Sequence, residues 1–279
     1  MGRHIIILYN AGPTPAAHSK ILPKHHGDSD ISFYLCHMTL PIHQDPMGAA
    51  IRDFHLKGKA KRLRVLSSMF DEDEIPVSTL FRTESEMNAL ERQALNLCHG
   101  RVLDVGAGAG CHSRVLQQRG IDTTAIDISP LSVQTMRERG ILKALHANFF
   151  TDCIEGTPFD TVLMLMNGIG IVGRVNCFAD FFARLDTLLA PGGQLLTDSS
   201  DLRYIFEDED GTFCYDGEAE YYGEVDYRMV YGSTRGPRFL WLYADFDTLA
   251  REALQHGFRA EKVLDGQHYD YLARITRQL

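Results

Sequence analysis

The stretch Val102-Leu103-Asp104-Val105-Gly106-Ala107-Gly108-Ala109-Gly110 constrains this chain more than any other. A short apolar run that stops at alternating glycines suits a strand turning at once into a helix. Glycine admits the required backbone angles, and its missing Cβ lets the backbone pass close to a ligand. The turn therefore predicts a nucleotide-like group lying over it. A helix from Cys111 to Gln118, closed by Gly120, should follow. The unit then repeats: Thr123 to Ile128 reads as a strand, Ser129 as the next helix cap, Pro130 as its first residue and Gly140 as its stop. Alternating strands and helices predict a parallel sheet with crossover helices.

Downstream, Phe159 to Met166 reads as a third strand. Phe178, Phe181, Phe182, Leu185, Leu188 and Leu189 then recur at helical spacing until Ala190-Pro191-Gly192-Gly193 breaks the helix. Gln194 to Asp198 is a fresh strand. Asp245 caps a helix ending at Gly257, and Ala260 to Leu264 and Tyr269 to Ile275 flank Asp265-Gly266, a connection short enough to force antiparallel pairing. Upstream, Thr83-Glu84-Ser85-Glu86 is a capping box that predicts a helix running to near Gly100. The expected fold class is α/β: a doubly wound, mostly parallel sheet closed by a C-terminal antiparallel hairpin.

Residues 1–46 hold six of the twelve histidines and five of the ten prolines, without helical periodicity, and read as a poorly ordered extension. Residues 47–279 form the expected domain. Within it, 199–241 is an acidic, tyrosine-rich insert, and alternation in Glu220 to Met229 predicts an added strand pair capping the site. The six cysteines are scattered without a C-x-x-C pair, so free thiols and no metal are expected, and His25-His26 lacks partners at ligand spacing. Apolar runs such as Ile5 to Tyr9 fall far short of the roughly 18 residues a spanning helix needs. The sixth residue is Ile6 rather than the Ser or Thr of a myristoylation signal, and a cytoplasmic protein is expected. The formal net charge is −9, and residues 201–226, with ten acids against Arg203, account for all of it. Such a segment repels a phosphate backbone, so nucleic acid is not the expected partner.

Two details bear on the ligand. The third glycine comes one residue too early for a dinucleotide G-x-G-x-x-G, since position 111 is Cys. Asp127 ends the second strand 21 residues after Gly106, where a carboxylate can accept both hydroxyls of a ribose. That spacing alone fits NAD or S-adenosylmethionine. Four segments in order, V-L-D-V-G-A-G-A-G at 102–110, A-I-D-I-S at 125–129, F-D-T-V-L-M-L-M-N-G at 159–168 and L-A-P-G-G-Q-L-L at 189–196, resemble the class I S-adenosylmethionine-dependent methyltransferases over roughly Asp45 to Leu279.

The resemblance implies a seven-stranded sheet, S-adenosylmethionine as cofactor and methyl transfer as activity. It places Asp104, Gly106 and Gly108 by the methionine half, with Ala107 in the same turn. Asp127 goes to the ribose and Ile128 to the adenine. Asn148, with Phe149 beside it, stands where the family usually has Asp near the adenine amine. Arg82 is suggested to pair with the methionine carboxylate, against the plainer reading of a surface or interdomain ion pair. Asn167 is expected at the sulfonium and acceptor, against a plain turn former. For an acceptor that must lose a proton, Asp198 and His268 are candidate bases, beside Asp201 and the tyrosines. The expected acceptor is a small molecule, an amine or cation if Glu220, Glu224 and Asp226 face it. A noncatalytic S-adenosylmethionine-binding module and a nicotinamide-dependent oxidoreductase are the other readings. No feature of the sequence sets the oligomeric state.

Overall fold

The structure, a computed structural model, describes residues 40–217 and 219–278. The histidine pair and most of the expected extension lie outside the described residues. In chain order the elements are α1 (Pro46–Lys57), β1 (Leu63–Leu66), β2 (Asp73–Ile75), α2 (Ala89–Leu97), β3 (Val102–Val105), α3 (Cys111–Gln118), β4 (Thr123–Asp127), α4 (Pro130–Glu138), β5 (Ala144–His146), β6 (Phe159–Met164), α5 (Phe178–Leu188), β7 (Leu189–Ser200), β8 (Glu224–Tyr231), β9 (Thr234–Leu242), α6 (Phe246–Gln255), β10 (Phe258–Asp265) and β11 (Asp270–Arg277). A seven-stranded sheet has the order β10-β11-β7-β6-β3-β4-β5. Strands β7, β6, β3, β4 and β5 pair parallel, while β11 runs antiparallel to both β7 and β10.

Both faces of this sheet are covered because its strands are apolar on successive residues, not alternate ones. On β6, Val162 and Met164 face the side where Phe178, Phe181, Phe182 and Leu185 of α5 pack, whereas Leu163 joins Leu90 and Ala94 of α2 and Val115 and Leu116 of α3 on the other. The α5 phenylalanines lie at i, i+3 and i+4, which gathers them on one buried stripe.

Three departures from the sequence reading matter for the site. The Thr83 capping box is present but caps only a single 3-10 turn, Glu84–Glu86; α2 starts later, under a second box made by Asn88 and Glu91. Strand β7 begins at Leu189, ahead of Pro191-Gly192-Gly193, and its pairing with β6 resumes at Gln194 after an irregular stretch. The cap is a four-stranded antiparallel sheet, β2-β1-β8-β9, so the insert supplies only half of it. Its other half comes from 63–75, and the folded domain extends back past 47: Asp45 is fully buried and caps α1. No helix among the described residues is long and apolar enough to cross a membrane.

Candidate active site

Strand order reverses between β3 and β6, and in an open α/β sheet the crevice outside the carboxyl ends of such strands is where a ligand sits. A cavity of about 290 Å³ opens there, floored by the ends of β3, β4 and β6 and roofed by the cap sheet. Gly106, Gly108, Asp127, Ile128, Asn148, Phe149 and Asn167 all line it. Asp104, Ala107, Arg82, Asp198 and His268 do not.

The glycine turn has the form a ligand needs. Gly106 and Gly108 adopt φ of +69° and +57°, and a Cβ built on Gly106 would meet nothing within 4 Å. The space over the turn is open. Asp127 holds the turn from the side: its Oδ2 accepts from the Gly108 amide and its Oδ1 from the Ser129 amide, each at 2.8 Å. A carboxylate offers about four acceptor positions, so two remain for hydroxyl donors. Burial pushes this carboxyl up to about 6 against the pull of the two amides. Beside it Asp45, which sequence reasoning assigned to the extension, accepts from Gly48 N at 2.7 Å and from Ser129 Oγ at 2.6 Å, tying α1 to α4 across the cavity edge. The Asp45-Pro46 pair is itself a helix-start signal and could have revealed it. At the adenine end expected from the sequence, Asn148 Oδ1 accepts from Phe150 N at 2.9 Å.

The residues set back from the cavity form its support. Asp104 takes the Ser113 hydroxyl at 2.5 Å and so binds β3 to the first turn of α3; burial raises its pKa. Ala107 packs with Val133 and Met136 of α4. Arg82 donates to Glu91 Oε1 at 2.6 Å, and His112 Nε2 stands 2.7 Å from that same oxygen. All three side chains are at least nine-tenths buried. The Arg82 contact is an ion pair, but a buried one within the domain and not the surface or interdomain pair of the plainer reading. Burial would raise Glu91, but His112, Arg82 and the Asn88 amide outweigh it and hold it below the usual carboxylate range. Burial opposes the His112 charge, yet Cys111 and Glu91 beside it hold its pKa well above the ordinary value. Glu91 closes the Asn88 capping box, a signal legible in the sequence, but only the fold brings it to His112.

The far half of the cavity is apolar. Tyr227, Met229, Phe239, Trp241 and Tyr243 of the cap face Ile171 and Met166. Trp241 rests on bare backbone, since a Cβ at Gly170 would run into its indole Nε1. Tyr227 and Tyr243 hold each other through their hydroxyls at 3.1 Å, and burial raises both phenols. Charged side chains among the described lining residues are Asp45 and Asp127, both beside Ser129.

The carboxylates expected to face the acceptor lie elsewhere. Glu224 accepts from Val175 N, Asp226 from Ser68, and Glu220 is exposed. Tyr221 and Tyr222, from the same segment, both donate to Asp245 and fasten the insert to the start of α6, and Tyr222 also donates to Asp201 within the insert. His268 sits exposed in the β10–β11 turn. Among the described residues no cluster could hold a metal ion.

A family model described as a methyltransferase domain matches residues 102–193. A crystal structure of an S-adenosylmethionine-dependent methyltransferase from Bacteroides fragilis, in complex with S-adenosyl-L-homocysteine, is 54% identical, with a TM-score of 0.82 over 87% of this chain and 98% of that one. A ubiquinone biosynthesis O-methyltransferase from Xylella fastidiosa is 32% identical over 105 residues, 36% of this chain. A tRNA U34 carboxymethyltransferase from Idiomarina loihiensis is 28% identical over 158 residues, 53% of this chain. The chain spans 41% and 46% of the lengths of these two curated relatives. On the identity and coverage of the Bacteroides fragilis protein, carried by the ordered motifs and the strand order around the glycine turn, the chain belongs to the class I S-adenosylmethionine-dependent methyltransferases.

Proposed function

We propose that this chain transfers the methyl group of S-adenosylmethionine to a small acceptor with an apolar, ring-bearing body. The observation that carries the reading is the wall of Tyr227, Phe239, Trp241 and Tyr243 over an otherwise apolar half-cavity. Removing such a body from water is favourable at about 25 cal/mol per Å², and the described residues place no charge there to select a cation. Similarity to a relative named as an O-methyltransferase is in keeping with a hydroxyl-bearing acceptor.

When bound, S-adenosylmethionine supplies a methyl carbon already activated by its sulfonium. The open turn at Gly106 and Gly108 fits the methionine half of that molecule and the spare acceptor positions of Asp127 fit its ribose, and Asn167 lines the same cavity. The chain's part in the reaction is alignment of the two partners, which can supply about 7 to 11 kcal/mol of the barrier. The bond from the sulfonium to the methyl carbon breaks as the acceptor's bond to that carbon forms, S-adenosylhomocysteine leaves, and the acceptor's proton passes to solvent, since the raised phenols of Tyr227 and Tyr243 keep their own protons near neutral pH and do not serve as bases. The acceptor is therefore one that loses its proton readily, such as a phenol-type hydroxyl, or a neutral amine.

Incubation with a methyl-labelled donor and a panel of phenols, aromatic amines, aliphatic ammonium compounds and tRNA tests the reading. Label is expected in the ring-bearing small molecules. Label confined to the ammonium compounds or to tRNA would overturn it.

A further inference from the structure

We propose that Asp198 is a positioning residue for methyl transfer, its buried carboxylate holding the Met166–Gly168 turn in the left-handed conformation that sets Asn167 in the cavity wall. The inference rests on the methyltransferase reading and deepens it. Met166 and Asn167 have φ of +69° and +56°, and two consecutive side-chain-bearing residues in that region stay there only when their surroundings hold them. What holds them lies on β7. Asp198 Oδ2 accepts from the Met166 amide at 3.2 Å and Oδ1 from the Gly168 amide at 3.1 Å. Two residues on, Ser200 Oγ donates to Asn167 Oδ1 at 2.8 Å. Backbone and side chain of the turn are thus both anchored to the neighbouring strand. The turn is tight as well, since a Cβ on Gly168 would come 2.7 Å from Met164 Cβ.

Met166, Asn167 and Gly168 line the cavity and Asp198 does not. Both carboxylate oxygens point at backbone amides, so the side chain acts through the turn and not as a base on the acceptor. The charged and titratable groups around it are Glu91 of α2, His112 of α3, Tyr271 of β11, and Arg82, whose Nη2 reaches Met166 Sδ at 3.8 Å. Glu91 is held below its ordinary range, His112 well above its own, and burial raises Tyr271. Burial brings Asp198 up to about 6. Asp198 is accordingly the member of this set that changes charge just below neutrality, and its protonation weakens both amide bonds.

The test measures methyl transfer to whichever acceptor the wild-type protein labels in the panel, at saturating donor and acceptor across the pH range, alongside calorimetric binding of S-adenosylhomocysteine. Wild-type kcat should fall below about pH 6. Asp198→Asn should lack that limb and show kcat about 100-fold lower, the order of loss from a 1 Å misplacement, with S-adenosylhomocysteine affinity within about threefold. An unchanged kcat, a retained acidic limb, or affinity lost in step with kcat would overturn the proposal. If Asp198→Asn does not fold, Ser200→Ala replaces it: kcat about tenfold lower at unchanged affinity is expected, and unchanged kcat counts against the anchoring. A wild-type protein that labels nothing fails the methyltransferase reading instead. The amide proton of Gly168, followed by NMR through pH 6 in protein saturated with S-adenosylhomocysteine, then decides: a titrating shift supports the anchor and a flat one refutes it.

Discussion

Replacing Asp127 with Ala is expected to weaken S-adenosylmethionine binding by about 3 kcal/mol, roughly a hundredfold in Kd. The ribose would lose a charged acceptor, and hydrogen bonds to a charged group contribute about 1.5 to 3 kcal/mol each. The glycine turn would lose its anchor as well, because Gly108 N and Ser129 N both donate to this side chain. The pH dependence has a definite sign. Hydroxyl donors favour the ionised carboxylate, whose pKa in the free protein is brought up to about 6, so affinity should be full above that value and fall as pH drops through it. Calorimetric Kd values for both proteins on either side of pH 6 check both statements. A folded variant with unchanged Kd would remove Asp127 from the cofactor site.

The second large effect is on stability. Glu91 has no exposed side-chain surface and one of its oxygens faces both Arg82 and His112. Glu91→Ala leaves two cationic groups buried together without a counter-charge, and breaking a buried pair in this way costs about 3 to 5 kcal/mol. Because the Glu91 pKa is depressed in the folded protein, its contribution is present above the ordinary value of 4.5 and is lost as pH falls through the folded one. His112 behaves oppositely: its raised pKa gives stability that is complete below the ordinary 6.5 and is lost as pH rises through the folded value. The network therefore contributes in full between about pH 4.5 and 6.5. Urea unfolding of wild type and Glu91→Ala at pH 6 measures the difference, and a loss under about 1 kcal/mol would show that the three groups are not coupled.

The part of the fold legible in the sequence is the part built from local signals. Helix α3 runs over the expected Cys111–Gln118, and α4 starts at Pro130 under Ser129, because a strand, a glycine turn and a capped helix each write their own pattern within a few residues. Strands β1 and β2 have four residues and three, too short for alternation to stand out, and β1 pairs with β8 more than 150 positions away. The sequence therefore shows the cap only as an insert, whereas it is a sheet shared with the start of the domain. The site divides the same way. Gly106, Gly108 and Asp127 sit in motifs and line the cavity together. Glu91 of α2 and His112 of α3 meet only through packing, with Arg82 reaching the same carboxylate from the turn ahead of α2, and Asp45 precedes the motifs by more than fifty residues. The acidic insert illustrates the converse error. A cluster of carboxylates in sequence implied a field over the acceptor, but along β8 side chains alternate, so Tyr227 and Met229 reach the cavity while Asp226 turns to Ser68.

Calorimetric titration of the wild-type protein with S-adenosylhomocysteine, set against NADH under the same conditions, tests the central claim most directly. The glycine turn, the open space over Gly106 and the spare acceptor positions of Asp127 call for saturable one-to-one binding of S-adenosylhomocysteine and none of NADH. Binding of NADH without S-adenosylhomocysteine would contradict it.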